Sequence, residues 1–396
     1  MSRTSDFFFR HVAQTSEAPL AIEIDHAEGS WIYDTNGKKY LDLISGISVS
    51  NTGHRHPTVI KAIHRQLDLY LHTMVFGEHI QGPQVQFAQA LSARLPSSLQ
   101  SVYFTNSGAE AVEGAMKLAK RLTGRSGFIS FHNAYHGSTQ GALSLMGSEL
   151  FKNAFRPLLP DMHQLEFNSL AALEQIGRHT AAVFVEPVQG EAGVVPGNDS
   201  FLTALRKRCD DTGCLLVFDE IQTGFGRTGK LFAFEHSGVI PDILLCAKGM
   251  GGGMPLGAFI SSVERMKSLS HDPVLGHLTT FGGHPVSCAA GLASLEVLEK
   301  ENLISAVKEK ERMFLQLLKH PEIKAVRSAG LLIALEFENE TINRKVIATC
   351  MEKGVLTDWF LFNAECLRIA PPLTITENEI RFACEAILES AELCRN

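Results

Sequence analysis

The sequence predicts an α/β protein: a mostly parallel sheet with helices on both sides, and a smaller α+β domain. Two observations carry this. From Ser101 onward, short apolar runs alternate with helical stretches: SVYFTN before SGAEAVEGAMKLAKRL, GFISFH, TAAVFVEP before SFLTALRKRCDDTG, then CLLVFDE, ILLCAK and GAFISS. Apolar runs without polar alternation suit strands covered on both faces, and intervening helices make the connections crossovers between parallel strands. The second observation is a change of texture at both ends. AIEID and EGSWIYDTNGKKYLDL are short strand-like segments around the hairpin dipeptide Asn36-Gly37. From Val286 the pattern turns helical (VSCAAGLASLEVLEKENLISAVKEKERMFLQLLKH), then closes with LLIALEFE, a helix and ECLRIAPPLTI. Residues 60–290 are accordingly read as a large domain, and 1–59 with 291–396 as a composite small one.

Composition sets the outer limits. A chain of 396 residues has room for two or three domains and a sizeable core. Its 45% apolar and 20% charged residues exclude a disordered chain. A net charge of −7 gives no global reason to expect nucleic acid or an anionic membrane as partner. No apolar run is long enough to cross a membrane, and Phe7 to Phe9 is too short for a signal-peptide core. The eight cysteines stand singly, with no C-x-x-C pair and no zinc spacing, so they read as reduced thiols of a cytoplasmic protein without a metal.

Several segments carry chemistry. VYFT runs into Asn106-Ser107-Gly108-Ala109-Glu110, where Ser107 and Glu110 have capping-box spacing, and Val112, Ala115, Met116 and Ala119 then mark one helical face. Small residues at a helix start leave backbone N–H groups open to an anion; an ordinary capped helix is the plainer alternative. Gly224 to Lys230 fits G-x-x-x-x-G-K and, in part, G-x-G-x-x-G. Leu231 replaces the hydroxyl residue that a phosphate loop needs, and no adequate helix follows, which argues against a nucleotide-binding protein. Asp219 ends the apolar run CLLVF, the usual ligand position in an α/β fold. It reads as a structural cap or as a counter-charge for a cationic ring nitrogen. Lys248 stands between ILLCA and a glycine run. There it either snorkels to water or, desolvated, becomes a nucleophile for carbonyls. Glu186 and Glu191 follow another buried run, and Arg368 in LRIAPPL suits carboxylate recognition or a structural ion pair. His54 and His56 lack a third metal ligand and read as a turn before Pro57. Lys248, Asp219 and an anion-binding helix start together describe a pyridoxal phosphate site: Schiff-base lysine, acid for the pyridinium, and phosphate cup.

The chain resembles the class III pyridoxal-phosphate aminotransferases, nearest the acetylornithine/ornithine aminotransferase branch. The likeness runs from YLDLISGISVSNTGHRHP to LRIAPPLTIT, with NSGAEA, YHG, EPVQGEAG, FDEIQTGFGRTG, AKGMGGGMPLGA and TTFGGHP in family order. It implies a fold type I transferase with a seven-stranded-type sheet, pyridoxal 5'-phosphate as cofactor and a homodimer with shared active sites. By the same resemblance Lys248 carries the cofactor and shuttles the proton, Asp219 pairs with the ring nitrogen and Gln222 contacts the ring hydroxyl. Ser107, Gly108 and Ala109 form the phosphate cup, and Thr280 reaches the phosphate of the neighbouring subunit. Tyr135 stacks on the ring, Glu186 supports the site, Arg368 clamps an α-carboxylate, and Glu191 gates that arginine. The implied activity is ping-pong transfer of an amino group from an amino acid or ω-amine donor to a keto acid. The alternatives are an acetylornithine/ornithine-type 2-oxoglutarate transaminase, or an aminomutase, racemase or decarboxylase on the same scaffold. One departure bears on substrate: many members of the branch have Arg after YHG or FHG, and here stands Ser138.

Overall fold

The computed structural model of the protein describes residues 2–394. Its main sheet has seven strands in the order Ser101–Thr105, Gly257–Ser261, Ile243–Cys246, Leu215–Asp219, Thr180–Val185, Gly127–Phe131 and Met162–Leu165. Only Gly257–Ser261 runs against its neighbours, so the sheet is mostly parallel as the apolar runs predict. Six of the strands coincide with those runs. The seventh, Met162–Leu165, does not: it lies at the sheet edge and pairs on one side alone, so its MHQL sequence needs no continuous apolar character.

Alternate residues of each strand feed opposite cores. On one face the helix Gly108–Thr123 lays Val112, Ala115, Met116 and Ala119 against Phe128, Phe184 and Phe259. On the other, Ile129, Val183, Leu216 and Leu244 meet Phe201 and Leu205 of the helix Asp199–Thr212. Both helices stop at a glycine in the left-handed region, Gly124 at φ 67° and Gly213 at φ 68°, where a side chain would be strained. The helical tail reads as one stretch in sequence. In the structure it is two helices, Pro285–Lys300 and Leu303–Leu317, broken where Asn302 turns to φ 55°.

The terminal segments build two smaller sheets. Trp31–Asp34 and Lys39–Asp42 form the hairpin at Asn36-Gly37, with Ile24–Glu28 beside them. Val355–Leu356, far along the chain, joins this sheet parallel to Lys39–Asp42. The other sheet joins Ala325–Ser328, Ile333–Glu336, Asn363–Ile369 and Trp359–Phe360. The glycine cluster from Gly224 to Lys230 is a run of turns, and the next helix, Phe234–Ser237, has only four residues. Its Arg227 is fully buried and donates to the carbonyls of Leu331 and Pro371 and to Asn51 Oδ1. That makes the loop a structural tie.

Candidate active site

Five parallel strands deliver their C-terminal ends to one edge of the sheet. Asn106 and Ser107 follow the first, Tyr135 and His136 lie beyond the second, Glu186 follows the third, Asp219 ends the fourth, and Lys248 lies beyond the fifth. These ends line a cavity of about 490 Å³, together with Gly108, Ala109, Ser138 and Gln222. Its size falls in the range of small-molecule sites, and its place is where α/β sheets bind ligands.

The helix start is open on the cavity side. Ser107 accepts the Glu110 N–H through its hydroxyl, as the spacing predicts. The reciprocal half of the capping box does not form. The Glu110 carboxylate instead accepts from the backbone and side-chain amides of Asn106, which together offer more donors than the single N–H of Ser107. The N–H groups of Ser107, Gly108 and Ala109 are thus left for an anion, reinforced by the helix dipole. The approach is close: a Cβ on Gly108 would meet Ile221 Cδ1 at 2.7 Å, and one on Gly137 would meet Ala109 Cβ at 2.8 Å.

Asp219 is 4% exposed and held at both oxygens. Its Oδ2 lies 2.7 Å from His136 Nδ1, and its Oδ1 accepts the Ile221 N–H at 3.0 Å. Burial opposes a charge on His136, but Asp219 outweighs it and raises the imidazole pKa. Glu186 accepts the N–H groups of Tyr135 and Gly190, one on each oxygen. Burial pushes its carboxyl up to about 7, with His136 pulling it down and Asp219 pushing it up. Gln222 is buried, and its Nε2 has no hydrogen-bond partner among the described residues. Its amide occupies the space where a Cβ on Gly190 would lie, 1.9 Å from Oε1.

Lys248 has φ 49°, a strained value for a residue with a side chain. Burial lowers the pKa of its amine, while Glu191, Asp219 and Glu186 oppose that shift. Next to this cavity, Arg368 and Glu191 form a bidentate pair at 2.8 and 2.9 Å, both almost fully buried. Burial works against both charges, yet the pairing holds Glu191 below the usual carboxylate range and raises Arg368. Tyr135 and Ser138 share a hydrogen bond of 3.1 Å between their hydroxyl groups. Thr280 is not in the cavity; it is exposed and borders a neighbouring depression, with Asn106 lining both.

Nine of the twelve candidate positions therefore meet in one cavity: Ser107, Gly108, Ala109, Tyr135, Ser138, Glu186, Asp219, Gln222 and Lys248. The sequence reading missed His136, which stands inside YHG but reveals its partner, 83 residues away, only in three dimensions. It also missed Asp358, a second acid on Arg368.

The residues fit pyridoxal phosphate: an open helix start for the phosphate, an anchored acid, an unpartnered buried amide, and a desolvated lysine amine. Fold and cavity together define a fold type I pyridoxal-phosphate enzyme. Residues 12–390 match the family "Aminotransferase class-III". The chain is 39% identical to acetylornithine aminotransferase from Methanopyrus kandleri, over 97% of both chains. It is 41% identical to the enzyme of that name from Methanocaldococcus jannaschii, over 93% of both. Among solved structures, ornithine aminotransferase from Toxoplasma gondii, with pyridoxal phosphate at partial occupancy, superposes with a TM-score of 0.90 at 32% identity, covering 99% of this chain and 95% of that one. The chain belongs to the class III aminotransferases and is a pyridoxal-phosphate-dependent transaminase.

Proposed function

We propose that this enzyme moves the amino group of an ω-amine or amino-acid donor to a keto acid in two half-reactions at the cavity around Lys248. The convergence of Lys248, Asp219 and the open helix start on that cavity carries the reading. When bound, pyridoxal phosphate supplies a carbonyl carbon that takes up amines and a ring that accepts the electron pair left when a substrate C–H bond breaks. Ser107, Gly108 and Ala109 would hold the phosphate through backbone N–H groups and the Ser107 hydroxyl. Asp219 would keep a proton on the ring nitrogen, and His136 and Ile221 hold its carboxylate in place. Gln222 has a free amide to donate to the ring hydroxyl. Tyr135 offers a ring face, and Glu186 ties the loops before Tyr135 and Gly190. Lys248 Nζ would carry the proton from the substrate carbon to the cofactor carbon that takes up the amine, helped by burial that lowers the pKa of the amine.

Arg368 receives a substrate carboxylate only once Glu191 leaves it. With the pair closed, the site favours a donor whose reacting carbon bears no carboxylate. This agrees with an acetylornithine- or ornithine-type donor, the kind named for the relatives above. A panel of amine donors followed by keto acids, read from the cofactor absorbance, tests the reading. Release of a free carbonyl product and recovery with a keto acid are expected; turnover without an acceptor would overturn it.

Three further parts belong to this reading. The enzyme works as a homodimer, with Thr280 completing the partner's phosphate site. In support, Leu69, Leu71, Met74, Ile80, Leu278 and Phe281 are all exposed, Ile80 at 95%. Their segments are joined by Gln84, which donates to Val75 and Gly283, and by the His72–Phe281 ring contact at 4.8 Å. Residues 1–59 and 291–396 act as one small domain beside 60–290, a division supported by the pairing of Val355–Leu356 with Lys39–Asp42. A cytoplasmic location is supported by eight free cysteines. No helix among the described residues is long and apolar enough to cross a membrane.

A further inference from the structure

Arg368 carries more acid than one guanidinium balances. Its Nη1 and Nη2 face Glu191, its Nη2 also donates to the Trp359 carbonyl at 3.0 Å, and its Nε donates to Asp358 Oδ1 at 2.8 Å. Four of the five N–H donors of an arginine are thereby engaged. The two acids are held differently. Asp358 grips Arg368 twice, since its backbone carbonyl also accepts the Arg368 N–H at 2.9 Å. Glu191 occupies the Nη edge, the bidentate face that a substrate carboxylate would take. The guanidinium also lies 4.4 Å from the centre of the Phe360 ring, which limits its tilt.

We infer that Asp358 is a specificity-determining residue: it fixes the plane of Arg368 and weakens that arginine's hold on a substrate carboxylate. The inference rests on the reading of Arg368 as the carboxylate site. Exchanging Glu191 for a substrate carboxylate adds one negative charge to the buried cluster, because Glu191 stays tethered to the chain. Asp358 repels that added charge, and a substrate without a carboxylate at the reacting carbon does not feel it. The acid thus biases the enzyme toward amines whose reacting carbon is free of carboxylate. Its hydrogen bond to Nε keeps the Nη edge turned to the side where Glu191 sits, so its geometry supports carboxylate binding while its charge restrains it.

Two substitutions separate the effects. Asp358→Asn retains an oxygen acceptor for Nε and removes the charge. The kcat/KM for a keto acid should rise severalfold, and inhibition by a simple unreactive monocarboxylate should tighten by the same factor. The kcat/KM for a primary amine without a carboxylate should stay within twofold. Asp358→Ala removes the acceptor as well, and kcat/KM for the keto acid should fall roughly tenfold below that of Asp358→Asn, with the amine again unaffected. Circular dichroism and cofactor absorbance establish that both variants are folded and loaded. A change shared equally by amine and keto acid, no change in Asp358→Asn, or a loss of keto acid affinity in that variant overturns the inference. Arg368→Gln separates this from failure of the underlying reading. If it leaves keto acid affinity intact, Arg368 is not the carboxylate site. If it abolishes that affinity while Asp358→Asn changes nothing, only the role of Asp358 is lost.

Discussion

In the proposed function the chemistry comes down to one amine, that of Lys248. Its pKa is lowered chiefly by burial, and the nearby carboxylate of Glu191 opposes the shift. A lowered pKa leaves more free amine at a given pH, so uptake of pyridoxal phosphate by the apoprotein should follow a pH profile displaced below that of free lysine, near 10.4. Glu191→Gln removes an opposing charge and should displace the profile further down; an unchanged or upward midpoint would show that Glu191 does not act on this amine. Under the proposed function nucleophile and base are one group, so Lys248→Ala should lower turnover by orders of magnitude. Ser138 bears on the substrate. It is exposed, uncharged and bonded to Tyr135 at the cavity rim. A neutral hydroxyl holds a carboxylate less tightly than a bidentate arginine by roughly one to two kcal/mol, or about tenfold. Pyruvate should therefore rival 2-oxoglutarate as acceptor when kcat/KM is compared with a single donor. A preference for 2-oxoglutarate of about a hundredfold would mean that another cation serves the distal carboxylate.

At the level of elements, the helix Gly108–Thr123 has to lie close to the sheet for its first N–H groups to reach the cavity. Gly114 permits this: a Cβ there would stand 2.3 Å from Phe259 Cε1. Gly114→Ala should destabilise the fold by about 1–3 kcal/mol through overpacking and should weaken cofactor affinity, since the helix start moves with the helix. Phe259→Leu in the same chain should restore part of both losses. Thermal unfolding and cofactor titration measure the two, and a Gly114→Ala protein of wild-type stability would show that the ring yields freely. The strands behind this helix were legible in the sequence because burial on both faces writes itself as an apolar run. Asp219 and Lys248 were legible because a charge at the end of such a run needs a reason. The edge strand Met162–Leu165 was not, since one-sided pairing leaves no such mark. His136 and Asp358 were hidden for a different cause: each owes its role to a partner on another strand, and local pattern carries no information on that pairing.

Over the whole molecule, parts distant in sequence are tied together around the site. Arg227 links the loop after the Asp219 strand to Asn51, Leu331 and Pro371, and burial pushes its pKa down to about 9. A desolvated guanidinium of this kind holds its position only while those acceptors stay in place. The molecule also presents an apolar surface that a single copy does not cover. Leu278 and Phe281 are exposed beside Thr280, at the depression that shares Asn106 with the cavity, and Ile80 is exposed at 95%. If Thr280 serves the partner's site, two inactive proteins should complement each other. Lys248→Ala lacks the amine, and Thr280→Trp blocks the shared wall. In a mixed dimer, the site with the alanine also receives the tryptophan, so both lesions fall on one site and the other keeps its lysine and a native threonine. Random exchange makes about half of the dimers mixed, each with one working site, so activity should recover to about a quarter of wild type. Subunit exchange, followed by native mass spectrometry of differently tagged chains, establishes that mixed dimers exist. Exchange without recovered activity would confine each site to one chain and leave the exposed apolar surface with no catalytic part.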